Sequence, residues 1–388
     1  MNKRAFAAVA AVVIVLLLIA VAYRGLGVRP SIRDEDSLSH IKLPDGFRIT
    51  AFTTGLGGST LSRPGTNPGP RMLLQKGDVV YVTLPAQGSV MALPDENNDG
   101  QADRAVTFID GLDHPHGIDF SDGWFYIAEE GKVIRFRDDD SNLVADKNST
   151  ELLISDLPVG GHVTRTVKIH NGSMYVSIGS SCNVCREEDE RRAAIIRCSL
   201  TGGNCTVFAK GMRNAVGFIF SGDDMYATDN GRDWLGDDLP PDEINRVEEG
   251  RNYGWPICYG KNVHDTEFDK NTYIRNPCME PFEAASLVDL QAHSAPLGLA
   301  LYKGSDFPEA YHGDLFVAFH GSWNRAQPTG YKIVSVDLAT GEVSDFATGW
   351  LQGGNVLGRP VDIIVAADGS LLVSDDNAGS IYRISYGS

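Results

Sequence analysis

Short apolar runs recur along this chain in one arrangement: a strand-length segment, a polar turn, then a second segment centred on a large apolar residue. Six segments carry the pattern: Asp78–Thr83, Gly123–Ala128, Gly172–Ser177, Asp223–Thr228, Gly313–Ala318 and Gly369–Ser374. Their fourth residues are Tyr81, Tyr126, Tyr175, Tyr226, Phe316 and Leu372, spaced 45, 49, 51, 90 and 56 residues apart. A period of roughly 40–50 residues with several strands per unit predicts propeller blades. The long gap holds no seventh copy. Residues 229–295 are instead rich in Asp, Asn, Gly and Pro, which predicts a functional insertion within one blade. The pattern predicts an all-β, six-bladed β-propeller over residues 40–386.

The repeat also places polar residues. Thirteen positions before the mark stand His162, Arg213 and Arg359; ten before it stand Arg71, His116, Arg165 and Asp362. Equivalent positions in blades ring one mouth of the central channel, and none of these side chains is needed for an apolar core. A solvated rim explains any one of them; seven in register predict a polar ligand site.

Lys3 and Arg4 precede an apolar run from Ala5 to Ala22, so residues 1–24 are expected to be a signal peptide or a signal anchor, followed by a linker over 25–39. Ala20-Val21-Ala22 offers a cleavage site, and either outcome exports the rest of the chain to the periplasmic or extracellular face. The membrane is then touched only through residues 5–22. Six cysteines agree with export, falling in close pairs at Cys182/Cys185, Cys198/Cys205 and Cys258/Cys278. The net charge of −17 argues against nucleic acid, whose phosphates it would repel. Forty-two glycines against 18 prolines favour many short turns.

Two kinds of chemistry are written into the loops. Asp95-Glu-Asn97-Asn-Asp99-Gly100 follows the opening of a calcium loop, with oxygen ligands at alternate positions and then Gly, although the bidentate Glu at the twelfth position is missing. Asp138–Asn142 with Asp146 is a looser copy, and both also suit Asx-rich hairpin turns. The central block is more specific: Gly211-Met-Arg213-Asn214, then Asp229-Asn230-Gly231-Arg232-Asp233-Trp234, Pro241-Asp242-Glu243-Ile-Asn245 and Asn252-Tyr253-Gly254-Trp255-Pro256.

This ordered block resembles the glucose/sorbosone dehydrogenase family, six-bladed propellers that bind pyrroloquinoline quinone (PQQ). Gly160-Gly-His162-Val-Thr-Arg165, the Ser177–Cys185 segment and Phe319-His320-Gly-Ser-Trp323-Asn324-Arg325 are similar to its sorbosone- and pyranose-dehydrogenase branches. The resemblance implies His162 as catalytic base, with Arg165 three residues on. It implies Arg213 and Asn214 beside the quinone carbonyls, and Arg359, with Arg71 and His320, as cofactor ligands. Carbonyls of Gly231 and Arg232 fall where the cofactor's Ca2+ is held, and Asp242, Glu243 and Tyr253 where a structural Ca2+ sits. Gly-Arg replaces a Gly-Pro pair, the cysteine loop 180–186 replaces an acid-and-Arg loop, and His320 or Lys332 stands near a cofactor lysine.

The implied activity is oxidation of an aldose or sorbosone-like sugar, with electrons leaving to an external quinone, dye or cytochrome. The alternative is a non-catalytic exported propeller that binds glycans or proteins; a base beside an electrophile favours the enzyme. A propeller lactonase wants several inward carboxylates on one metal, and only Asp362 stands in register.

Overall fold

The computed structural model describes residues 38–57, 67–281 and 283–387. The expected signal or anchor segment and nearly all of the linker lie outside them. Among the described residues no helix is long and apolar enough to cross a membrane.

Six four-stranded antiparallel sheets form six blades. Their innermost strands are Leu73–Lys76, Gly117–Ser121, Arg165–His170, Phe218–Ser221, Pro296–Leu301 and Pro360–Val365, each beside the next around the ring. All six marks fall on the second strand of a blade. These strands are apolar on both faces because each blade is packed on both sides: Val80, Tyr81 and Val82 are all buried. Between blades 1 and 2, Tyr81, Phe108, Phe125 and Phe136 interlock; between blades 5 and 6, Phe47 of the last blade packs edge-on against Phe307, Tyr311 and Phe346. The inner strands approach closely enough to need Gly298, where a Cβ would lie 2.1 Å from Asp362 Oδ1.

The last blade is completed from the other end of the chain. Phe47–Thr53 forms its outer strand against Ser380–Tyr386, with Phe47 opposite Tyr386. This pairing joins the two ends of the chain in one blade and so closes the ring.

The expected insertion over 229–295 is threaded by two strands of blade 4, Asp242–Val247 and Val288–Leu290. What projects is a connection over 230–241 and a long excursion over 248–287. The latter climbs the outside of blades 3 and 4, where Asn252 bridges Lys210 and Trp255 Nε1 donates to the Asn183 carbonyl at 3.4 Å. Three disulfides, Cys182–Cys185, Cys198–Cys205 and Cys258–Cys278, leave no free cysteine.

Strand direction decides which loops meet. Every first strand starts from the same face, so the connections into first strands and those joining second to third strands open on that face. Third-to-fourth hairpins open on the opposite one. Asp95, Asn97 and Asp99 lie in such a hairpin of blade 1, far from the loops described next.

Candidate active site

A cavity of about 640 Å3 opens on the first face. Apart from Asp242, which opens the third strand of blade 4, its lining residues come from the two classes of connection that share this face, among them Arg71, His162, Arg213, Asn214, His320 and Arg359. Four of the seven register residues therefore line it: His162, Arg213, Arg359 and Arg71. The other three, His116, Arg165 and Asp362, are buried beneath. Gly231 and Asp242 line the cavity as well.

His162 is held at one ring nitrogen. Its Nδ1 lies 3.0 Å from the Ser180 carbonyl and 3.0 Å from Ser180 Oγ. The hydroxyl donates to the Cys182 carbonyl at 2.7 Å. A carbonyl only accepts, so Nδ1 carries the hydrogen and Nε2 keeps its lone pair. Gly179 permits the approach, since a Cβ there would meet Asn214 Oδ1 at 2.5 Å and His162 Cβ at 2.6 Å.

The loop bearing His162 is fixed by two buried guanidiniums. Arg165 donates to the carbonyls of His162 (2.6 Å), Thr164 (2.8 Å) and Pro158 (2.5 Å). Arg192 donates to those of Val159 and, at 3.0 Å, Gly160. Arg165 thus points into the loop carbonyls and does not reach the cavity. Burial, then the charge of Arg213, and further Arg165 and Arg192, lower the His162 pKa to about 4.

The unfolded chain takes up a proton on His162 near the ordinary histidine pKa of about 6.5, while the folded protein resists until about 4. His162 therefore destabilises the fold progressively as pH falls through that window. His162→Gln removes the penalty. In cofactor-free protein the variant's melting temperature should move upward relative to the wild type between pH 7.5 and 4.5. A difference that stays constant over this range rejects the buried neutral imidazole.

Arg213 latches three segments together. Nε and Nη2 donate to the Asn183 carbonyl (2.9 Å) and Oδ1 (3.0 Å), Nη1 donates to the Gly231 carbonyl (2.9 Å), and Nη2 pairs with Asp233 (3.0 Å). Across the cavity, Asp376 accepts from Arg71 (2.6 Å), His320 Nε2 (2.9 Å) and Asn67 (2.7 Å). Burial would push this carboxyl up, but His320, Arg71 and Asn67 hold it below the usual range. Arg359 donates to the carbonyls of His320 (3.3 Å) and Gly321 (3.2 Å) and to Tyr331 Oη (3.1 Å). Among the described residues these bonds include no carboxylate. Burial raises the Asp242 carboxyl to about 7. Arg71 and Arg213 are matched by Asp376 and Asp233, which leaves Arg359 as the guanidinium of the cavity wall bonded to no carboxylate among the described residues.

The remaining expected ligands separate. Asp242 and Glu243 are consecutive on one strand and point to opposite faces. Asp242 accepts from the backbone N–H of Gly231 (2.8 Å) and Ala295 (2.9 Å) in the cavity wall. Glu243 faces a small adjoining pocket with Arg232, Tyr253 and Asp229. Arg232 pairs there with Asp265 at 2.8 Å, and the Tyr253 hydroxyl donates to the Arg246 carbonyl at 2.6 Å. In strand register Glu243 stands opposite both Asp229 and Asp289, and Asn245 Oδ1 is buried without a partner. Asp95, Asn97 and Asp99 spend their side-chain oxygens on N–H groups of their own turn. Of the two residues expected near the cofactor-lysine position, His320 lines the cavity, while Lys332 pairs outside it with Asp345 at 2.5 Å.

A brace recurs from blade to blade that the strand pattern alone does not reveal. Three residues after the mark, Glu129, Asp229 and Asp375 each accept the backbone N–H of the residue sixteen positions earlier: Asp113, Arg213 and Arg359. Asp229 also takes the N–H of Asn214 at 2.6 Å. The acid recurring at this offset was the available signal. In blade 3 the position is Ile178, and Ser180 holds the His162 loop instead.

Comparison with known proteins agrees with the architecture. The chain is 33% identical over 376 residues to an uncharacterized protein of Borreliella burgdorferi, covering 92% of this chain and 93% of that one. It is 26% identical to a pyrroloquinoline quinone-dependent pyranose dehydrogenase of Coprinopsis cinerea, covering 89% of this chain but only 54% of that protein's length. A solved structure of a Trichoderma reesei carbohydrate-active enzyme of family AA12 superposes with a TM-score of 0.75 at 20% identity, over 93% of this chain and 99% of that one. Residues 70–387 match the TrAA12-like family, and the chain belongs to that family.

Proposed function

We propose that this chain is an exported quinoprotein sugar dehydrogenase that oxidises an aldose or sorbosone-like sugar and hands the electrons to an external acceptor. One observation carries the reading: an imidazole whose Nδ1–H is pinned by Ser180 presents its Nε2 to a cavity lined by three guanidiniums at the mouth of the propeller channel. A PQQ-dependent relative supports the cofactor. So does the donor set, because forked guanidiniums at Arg71, Arg213 and Arg359 suit an anionic tricarboxylate.

When bound, PQQ supplies a two-electron acceptor for hydride from a sugar carbon. His162 Nε2 takes the proton of that carbon's hydroxyl as the C=O bond forms. Its low intrinsic pKa keeps it neutral and receptive at working pH, and it gains basicity from the anion that Arg71 and Arg359 would hold. Arg165 acts as a positioning residue, keeping the His162 loop in place through carbonyls. Asn214, fixed by Asp229, sits beside the base.

Calcium is proposed at two places. The Gly231 and Arg232 carbonyls would hold it beside the cofactor, although Arg213 occupies the Gly231 carbonyl in this structure. The adjoining pocket fits an oxygen-ligated cation better, because Glu243 faces acids across two strands and Asn245 Oδ1 is orphaned.

Reconstitution tests the reading. Purified protein given PQQ and Ca2+ should retain quinone absorption and reduce a dye when an aldose is added. Prior chelation should lower the melting temperature, since an ion bound only to the native state stabilises it. No quinone retention and no dye reduction across an aldose panel returns the chain to the binding-module reading. Chelation without effect removes the calcium roles alone.

A further inference from the structure

Two tryptophans at the rim of the cavity stand out against the burial usual for indoles. Trp234 and Trp323 are 68% and 69% exposed, whereas Trp350 is buried at 1%. Their rings meet edge to face, with centroids 5.4 Å apart and planes at 87°, so the pair makes two walls near a right angle. Trp323 lines the cavity, and Trp234 follows Asp233, which also lines it. Trp234 has φ of 72°, a left-handed backbone that a bulky residue adopts only when its surroundings force it.

Those surroundings are a brace between two loops, 230–241 of blade 4 and 320–331 of blade 5. Asn324 donates to Asp233 at 2.6 Å. Arg325 donates to the Asp237 carbonyl at 2.5 Å and pairs with Asp238 at 3.0 Å. The Ala326 N–H donates to the Asp237 carboxylate at 3.2 Å. His293 Nε2 closes the frame on the Gly236 carbonyl at 2.8 Å. The indoles are thus held in fixed positions by polar contacts while their own apolar faces stay in water. Ordering a large aromatic without burying it leaves surface for a ligand to cover. The flanking groups select which ligand: Arg325 balances Asp238, while the Asp237 carboxylate meets a backbone N–H, so the rim carries negative charge and an anion is disfavoured. A pyranose ring is neutral, presents C–H groups on its flat faces and carries hydroxyls at its edge.

We propose that Trp234 and Trp323 form a saccharide-stacking subsite at the rim of the catalytic cavity. It holds the second pyranose ring of a di- or oligosaccharide whose terminal ring enters the cavity. This rests on the sugar-oxidising reading and names its substrate class: linked pyranosides are bound better than free monosaccharides.

The test titrates cofactor-free protein with glucose, maltose and cellobiose while following tryptophan fluorescence. It then measures KM for the same sugars in quinone-loaded enzyme. The wild type should bind at least one disaccharide more tightly than glucose. Trp323→Ala and Trp234→Ala should each weaken that binding roughly tenfold more than glucose binding, and raise the disaccharide KM by a similar factor, as expected for one aromatic contact shared by ground and transition states. Trp323→Phe should recover most of the effect, and melting temperatures should hold because the rings are exposed. Disaccharide preference that survives both alanine variants overturns the subsite, as does a KM change confined to the electron acceptor. Failure of the quinone reading looks different: a wild type that retains no quinone but still shows indole-dependent saccharide binding keeps the subsite and loses the oxidation.

Discussion

His162→Gln is expected to lower sugar oxidation by roughly two to four orders of magnitude, the usual contribution of a positioned general base, while quinone affinity changes little. The residue meets the cavity at Nε2, and its other nitrogen is committed to Ser180. Glutamine is close in length and its amide N–H donors can replace the Nδ1–H toward the Ser180 carbonyl, so the loop held by Arg165 and Arg192 should stay folded. Dye-reduction kinetics with a quinone titration on the same preparation separate the two effects. A variant that keeps near-wild-type turnover removes His162 from the chemistry and leaves the cavity without an assigned base.

Arg213→Ala should harm both binding and rate. The guanidinium is a cation of the cavity wall and also joins Asn183, Gly231 and Asp233, which belong to two different blades. Removing it deletes a preorganised charge, for which losses of roughly 10²–10³ in rate are typical, and leaves Asp233 without its partner. Arg213→Lys keeps the charge but cannot reproduce the forked set of bonds, so it should recover only part of the loss. The alanine variant should also raise the His162 pKa, because Arg213 is the largest charge lowering it. An NMR titration of that imidazole gives a reading independent of turnover. Quinone affinity within about twofold of wild type in Arg213→Ala would exclude a direct role in holding the cofactor.

The blades were legible because their second strands are apolar on both faces, a pattern that short sequence windows carry on their own. The ring of polar residues was legible for the same reason, since a fixed offset from a strand maps to a fixed height on the axis. The offset cannot say which way a side chain turns. Arg165 opens its strand and bends under the preceding loop, where five carbonyls need donors, so it supports His162 instead of lining the cavity. Asp242 and Glu243 looked like one ligand set, yet neighbours on a strand face apart. The bracing role of Asp229 and Asp375 is not legible in the sequence, because an acid ending a strand reads as a turn residue until its backbone partner is known. The closing strand Phe47–Thr53 could not be read at all: it has no repeat partner nearby, and the residue opposite Phe47 is Tyr386.

That closing strand sets the order in which the protein can be completed. Phe47–Thr53 leaves the ribosome, and any export channel, ahead of every blade, but its partner Ser380–Tyr386 arrives last. Blades 1 to 5 can collapse on their own local hairpins as they emerge. The first strand must wait unpaired until Ser380–Tyr386 has been made, and a contact between strands so far apart in sequence is the kind that slows folding. A chain truncated before residue 380 therefore lacks two strands of blade 6, not one, and exposes the edge of Leu371–Asp375 to other chains.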